Sequence, residues 1–177
     1  NFVLGDEYHY SNTNYWLMSL VIPRATGKTL AQFAEDNIFK PLGMLHTGFY
    51  DNRTVVVQGR VPAYGRRDDG SYRIAWSTNF DAIGDGGLIS SVEDLVLWDG
   101  NFDGNKLGKG TLVRELQTPG VLNNGKTIEY ALGLTVGRYR GLPFVAHGGA
   151  LFGYRTQLLR FPEQNFSVIC LCNLAGI

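Results

Sequence analysis

The sequence predicts an α/β fold of the α+β kind: a helical part, then an antiparallel sheet, with no internal repeat. Two observations carry that expectation. Up to residue 120, apolar residues recur at helical spacing behind good N-cap residues; from residue 121 onward, short apolar runs are separated by turn residues. Residues 1–177 are therefore expected to be one domain segment, with 1–120 mainly helix and loop and 121–177 antiparallel strands. A third observation is the run Val145-Ala146-His147-Gly148-Gly149-Ala150, where a strand delivers a histidine to two consecutive glycines. Glycine packs nothing in a strand, so it marks a bulge or a close approach by a ligand or another backbone. The alternative is a hairpin turn that a histidine happens to precede.

Ser11 or Asn12 can cap a first helix running through Tyr15, Trp16, Leu17, Leu20 and Val21 to the Arg24 region. Pro23 should kink or end its last turn, and Gly27 supplies the stop. Thr29 and Gln32 have capping-box spacing, and Leu30, Phe33, Ala34 and Ile38 make the apolar stripe of a second helix closed at Lys40-Pro41-Leu42-Gly43. Residues 44–87 lack clear periodicity, as segments wrapped over a site often do. Their aromatics Phe49, Tyr50, Tyr64, Tyr72, Trp76 and Phe80 are expected to pin the segment by packing in the core. Ser90 and Glu93 suggest a second capping box before a third helix carrying Val92, Leu95, Val96 and Trp98, and residues 111–116 a fourth. Strands are expected at 131–136, 143–146, 154–161 and 166–172, with short turns at Arg140-Gly141 and at 162–165.

Composition narrows the function. Hydrophobic content of 44% and charged content of 18% fit a globular chain, and 16 Lys+Arg balance 16 Asp+Glu, which disfavours nucleic acid and acidic membrane as partners. Glycine supplies 23 of 177 residues, so tight turns should be frequent. No apolar run reaches the ~18 residues of a transmembrane helix. Cys170 and Cys172 sit two apart on an expected strand with Cβ atoms roughly 6.6 Å apart, too far for a disulfide's ~3.8 Å, and are expected to be small buried apolar residues. The turn Gly84-Asp85-Gly86-Gly87 lacks the lysine of a phosphate loop. Both ends of the chain look cut.

Chemistry concentrates in two islands, Tyr10-x-Asn12 at a helix start and His147-x-Gly149 on a strand. A tyrosine acts as a base where nearby positive charge lowers its phenol from ~10. Asn12 offers a donor and an acceptor to a substrate amide, and His147 can share a proton network with Tyr10. A backbone N–H just past Gly149 can stabilise an oxyanion.

Taken with their surroundings, these islands closely resemble the serine β-lactamase-like, penicillin-binding-protein-like family of class C β-lactamases, DD-peptidases and related esterases. Tyr10-Ser11-Asn12 is similar to that family's second motif and His147-Gly148-Gly149 to the histidine form of its third. The stretches Thr26-Gly27-Lys28-Thr29, Phe39-Lys40-Pro41-Leu42-Gly43-Met44, Gly86-Gly87-Leu88-Ile89-Ser90 and Tyr130-Ala131-Leu132-Gly133 fall in the family's order. The resemblance implies a β-lactamase/transpeptidase-like fold and a serine hydrolase working through an acyl-enzyme on an amide, lactam or ester, without a cofactor or metal. It implies that Tyr10 shuttles the proton, that Asn12 contacts the substrate amide, and that His147 replaces the third-motif lysine. Gly148, Gly149 and Ala150 would line the substrate, with the Ala150 N–H in the oxyanion hole. It also implies a small-molecule or peptide substrate, and a place in the bacterial envelope or outside the cell.

One departure is large. The family's nucleophile lies in a Ser-x-x-Lys motif, and none of Ser11, Ser19, Ser71, Ser77, Ser90, Ser91 and Ser167 has lysine three places on. In the family that motif precedes Tyr-x-Asn, so the chain reads as a partial fold, a middle-to-late segment whose nucleophilic serine lies outside it. Two functions stay open: a hydrolase completed by other residues, or a non-catalytic binding or scaffold segment. A complementary chain or self-association would complete the sheet, whose apolar edges are otherwise exposed. Bulky Leu151 and Phe152 stand where the family prefers small residues or proline. A Ser-His-Asp triad on His147 would want a Gly-x-Ser-x-Gly elbow, which is absent.

Overall fold

In a computed structural model, which describes residues 2–75 and 81–176, helices and small sheets precede a four-stranded antiparallel sheet. The elements in chain order are α1 (Asn12–Thr26), α2 (Leu30–Ala34), a π turn (Glu35–Phe39), α3 (Lys40–Leu42), β1 (Gly48–Phe49), β2 (Tyr64–Arg66), β3 (Tyr72–Ile74) and β4 (Leu88–Ile89). Then come α4 (Val92–Gly104), a 3₁₀ turn (Gly108–Gly110), α5 (Leu112–Gln117), β5 (Thr135–Tyr139), β6 (Leu142–Leu151), β7 (Tyr154–Phe161), a 3₁₀ turn (Pro162–Gln164), β8 (Phe166–Cys172) and β9 (Leu174–Ala175). Neighbouring strands run β5-β6-β7-β8 in the main sheet, β3-β2-β9 in the second, with β2 and β9 parallel, and β1-β4 in the third.

Local chemistry explains most boundaries. Helix α1 continues three residues past Pro23, because the lost N–H leaves one open carbonyl while Thr26 Oγ1 and Arg24 serve those of Ile22 and Leu20. Gly27, left-handed at φ 72°, then closes it on the Pro23 carbonyl. The expected N-cap position, Ser11, makes no side-chain capping bond. At Thr29 both halves of the capping box form. Beyond it, one helix gives way to a π turn with an i→i−5 bond from Lys40 N–H to the Glu35 carbonyl, immediately ahead of Pro41, which has no N–H to give.

The second expected capping box is absent. Ser91 caps α4, its Oγ accepting from Asp94 N–H, while Ser90 Oγ lies 2.7 Å from Thr47 Oγ1. The buried stripe of α4 also differs from the expected one. Val92 and Val96 are exposed, and Asp94 and Asn101 are buried because each ties down a loop. Asp94 accepts from His46 N–H and Thr47 Oγ1, both at 2.7 Å, and Asn101 from Leu107 N–H at 3.0 Å. Ala34, Phe39, Leu42 and Met44 form the central core cluster, with Ile38, Phe49, Trp98 and Leu107 packed on it. Of the other aromatics expected in the core, Tyr50 and Tyr64 are half-buried, Tyr72 is exposed, and Trp76 and Phe80 lie outside the described residues.

In the main sheet, residues 131–134 form a turn rather than the start of a strand; Gly133 is left-handed at φ 82° there, so β5 begins at Thr135. Two-residue turns with both φ positive, Arg140-Gly141 and Phe152-Gly153, close the first two hairpins, the geometry that matches strand twist. The second turn needs its glycine twice over. Gly153 has φ 92°, and an added Cβ would fall 2.8 Å from Ala75 Cβ and 3.0 Å from the Tyr64 carbonyl oxygen. Residues 61–75 are thus laid against this hairpin, reinforced by Tyr154 Oη donating to the Val61 carbonyl at 2.7 Å.

Cys170 is exposed and Cys172 half-buried, contrary to the expectation that both are buried, because β8 is an edge of its sheet. The two thiols are free, with Sγ atoms 3.4 Å apart.

The sheet is fastened to α4 by Arg160 of β7, 3% exposed, which reaches Asp99 at 2.9 Å and also pairs with Asp103. Burial alone would depress the guanidinium's pKa, but the hydrogen bonds it donates to Asp103 and Asp99, and their charges, outweigh it and hold it above the ordinary arginine value. Losing one partner of such a buried set is costly. Arg160→Ala is expected to lower the unfolding free energy by about 3 kcal/mol, and Arg160→Lys by somewhat less, since an ammonium keeps the charge but lacks the fork that spans two carboxylates. Urea unfolding of both variants measures this; a loss near zero in Arg160→Ala would contradict it.

Candidate active site

His147 sits inside β6, neither in a turn nor at a bulge. The β6–β7 register continues unbroken from Val145↔Arg160 through His147↔Leu158, Gly148↔Gln157 and Gly149↔Thr156 to Leu151↔Tyr154. The hairpin reading of this stretch is thereby corrected: the turn lies further on, at Phe152-Gly153. The glycines serve close approach. A Cβ on Gly149 would fall 2.5 Å from Thr156 Oγ1, and one on Gly148 2.8 Å from Gln157 Oε1. On the other side, the β5 ladder ends at Thr135↔Ala146. From His147 to Leu151, β6 therefore has no strand beside it on that side among the described residues. Gly148, Gly149 and Ala150 are exposed and His147 half-buried.

The N-terminal island meets this edge. The rings of Tyr10 and His147 have centroids 6.2 Å apart at 40°. Tyr10 stands just ahead of α1, half exposed, and Asn12, also exposed, is the first residue of that helix.

Sequence reasoning missed the residue between the two islands. Tyr130, in the connection before β5, packs edge-on against Tyr10 at 5.8 Å and against His147 at 6.2 Å, and stacks on Tyr8 at 5.4 Å. Its Oη lies 3.3 Å from His147 Nε2. On the far side of the ring, His147 Nδ1 is 2.7 Å from the Gly148 carbonyl oxygen. Tyr130 belonged to a stretch already noted in the sequence, Tyr130-Ala131-Leu132-Gly133, but nothing local to it signals contact with a histidine 17 residues on. Burial pushes the Tyr130 phenol well above the usual tyrosine range, helped by its hydrogen bond with Tyr15 and the neighbouring Tyr10 and Tyr8. Tyr8 is raised more mildly, by partial burial and then by Tyr15 and Tyr10. The cluster is thus a patch of hydroxyls and one imidazole. Among the described residues, no three His, Cys, Asp or Glu side chains converge as metal ligands would, and no helix is long and apolar enough to cross a membrane.

Comparison with known proteins agrees with this mixed fold of helices and antiparallel strands. The chain belongs to the Beta-lactamase family, whose sequence profile matches residues 1–176. It is similar to a D-aminopeptidase of Brucella anthropi, 29% identical over 186 residues, covering 99% of this chain and 33% of that protein. A D-aminopeptidase of Gluconobacter oxydans is 30% identical over 169 residues, covering 96% and 32%. The chain therefore spans about a third of the length of these relatives. Among solved structures, an octameric penicillin-binding protein homologue from Pyrococcus abyssi superposes with a TM-score of 0.85 at 22% identity, over 98% of this chain and 40% of that one. That likeness concerns the fold.

Two expected outcomes follow from the site's packing. Gly149→Ala forces its methyl into Thr156 Oγ1 and is expected to destabilise by about 1–3 kcal/mol, while Thr156→Ala in the same chain restores most of it. Thermal unfolding of the two single variants and the double variant measures the coupling; additive losses would contradict it. The second concerns pH. Because the fold holds the Tyr130 phenol protonated more tightly than the unfolded chain does, its contribution is complete below pH ~10 and falls away as pH rises beyond. The parent should therefore lose stability more steeply above pH ~10 than Tyr130→Phe, as chemical unfolding in that range would show.

Proposed function

We propose that this chain carries the proton-transfer and oxyanion-binding part of a serine hydrolase that cleaves an amide, lactam or ester through an acyl-enzyme. The observation that carries this reading is the meeting of Tyr10 with His147 beside the unpaired edge of β6, 6.2 Å apart by ring centroid. In this reading Tyr10 relays the proton between nucleophile and leaving group, Asn12 holds the substrate amide, and His147 supports Tyr10 or a substrate carboxylate. Gly148 and Gly149 let the substrate lie close along the strand, and the Ala150 N–H stabilises the developing oxyanion. A general acid–base group of this kind is worth ~10²–10⁴ in rate, and one oxyanion donor ~10²–10³.

The nucleophilic serine lies, in this proposal, outside these 177 residues, which contain no Ser-x-x-Lys. The likeness to D-aminopeptidases supports amides of D-residues as the substrate class in this reading. Residues 1–120 and 121–177 act as two parts of one domain, with the site at their junction. The exposed apolar residues of α1 (Leu17, Met18, Leu20, Val21) and of β8 (Phe166, Val168, Leu171) are where a complementary segment or a second copy would pack. The octameric solved relative favours the second copy. The missing Ser-x-x-Lys is also the observation that favours the second reading, a binding or scaffold segment.

The test uses protein in which this chain is accompanied by a Ser-x-x-Lys segment, with D-alanine p-nitroanilide, its L counterpart, a p-nitrophenyl ester and a chromogenic cephalosporin as substrates. Turnover is expected, and it should fall at least ~10²-fold in Tyr10→Phe and His147→Ala, with the loss in kcat rather than KM for Tyr10→Phe. The 177 residues alone should give none. Binding of the amides without turnover would establish the scaffold reading, and turnover by the isolated chain would overturn the placement of the nucleophile.

A further inference from the structure

We propose that Tyr130 is a positioning residue, the head of a one-way hydrogen-bond chain from Tyr130 through His147 to the Gly148 carbonyl that fixes the imidazole as its Nδ1–H tautomer. The inference rests on the reading of His147 as part of the reacting site and adds what orients it.

The direction of the chain follows from what each group can do. His147 Nδ1 lies 2.7 Å from the Gly148 carbonyl oxygen, and a carbonyl only accepts, so the ring's proton must be on Nδ1. In the neutral imidazole Nε2 is then bare and can only accept. The group 3.3 Å from it is the Tyr130 hydroxyl, which must therefore donate. A phenol has one proton. That proton is the one directed at Nε2. Burial keeps the Tyr130 phenol protonated, as a donor must be.

The ring contacts make the arrangement stiff. Tyr8 stacks on one face of Tyr130, while Tyr10 and His147 meet it edge-on, so the hydroxyl has little freedom to swing away. The rings that meet the imidazole are Tyr10, just ahead of α1, and Tyr130, in the connection before β5, with Tyr8 stacked behind Tyr130. Imidazole free in water prefers its proton on Nε2, so the fold imposes the other tautomer. This fixes the ring plane against Tyr10 and leaves Nε2 as the nitrogen that takes up a proton when one arrives.

Nitrogen-15 spectra of the histidine rings, recorded on the full chain above the imidazole titration, test the proposal. His147→Gln identifies the resonances among the chain's 3 histidines. The parent is expected to show a protonated Nδ1 and a bare Nε2 displaced by an incoming hydrogen bond. Tyr130→Phe should move Nε2 to the position of an unbonded ring nitrogen. A proton found on Nε2 in the parent overturns the chain, as does an Nε2 resonance that Tyr130→Phe leaves unmoved. Should Tyr130→Phe fail to fold, the parent tautomer decides. The hydrolysis assay of His147→Ala separates this from the catalytic reading: an active His147→Ala with the expected tautomer removes His147 from the chemistry and leaves the chain standing.

Discussion

The ladder between β6 and β7 is the constraint on which the site depends. Seven consecutive pairs, from Val145↔Arg160 to Leu151↔Tyr154, hold His147 at a fixed height and keep the strand straight through two glycines that could otherwise flex. A side chain at Gly148 or Gly149 would force Gln157 or Thr156 to move, because these lean across the space a Cβ would fill. At one end, the Phe152-Gly153 turn is seated against Ala63, Tyr64 and Ala75; at the other, Arg160 is anchored to α4. The histidine is thus positioned by backbone pairing clamped at both ends, with its ring free to take part in side-chain chemistry.

What was legible in the sequence divides along physical lines. Signals that act over three or four residues were readable. The Thr29–Gln32 capping box, the stop at Gly27 and the turn at Arg140-Gly141 each express a local backbone preference, and each stands where the sequence put it. The order of helices before sheet followed from the change in apolar spacing. On α4 the misplaced features involve a tertiary contact overriding a local one. Ser90 looked like a cap but faces Thr47, leaving Ser91 to cap α4. Asp94 and Asn101 occupy a buried stripe that amphipathicity would assign to Val92 and Val96, because distant loops need their oxygens.

The site was partly readable for the same reason. A histidine ahead of paired glycines on a strand and a tyrosine two places before an asparagine at a helix start are visible as words, and the structure brings Tyr10 and His147 into one cluster. The connection through Tyr130 was invisible. It depends on a turn at 131–134 that swings a loop tyrosine between two islands separated by most of the chain, and no spacing rule encodes that. The meaning of the glycines was only half visible: their openness could be read, but their necessity lies in Thr156 and Gln157 on the next strand.

The parallel pairing of β2 with β9 joins Tyr64 to Leu174 and Gly65 to Ala175. During synthesis the early strand leaves the ribosome long before its neighbour exists. β2 therefore stays without this neighbour until all four strands of the main sheet have been made. Until then that edge of β2 is open to proteases and chaperones.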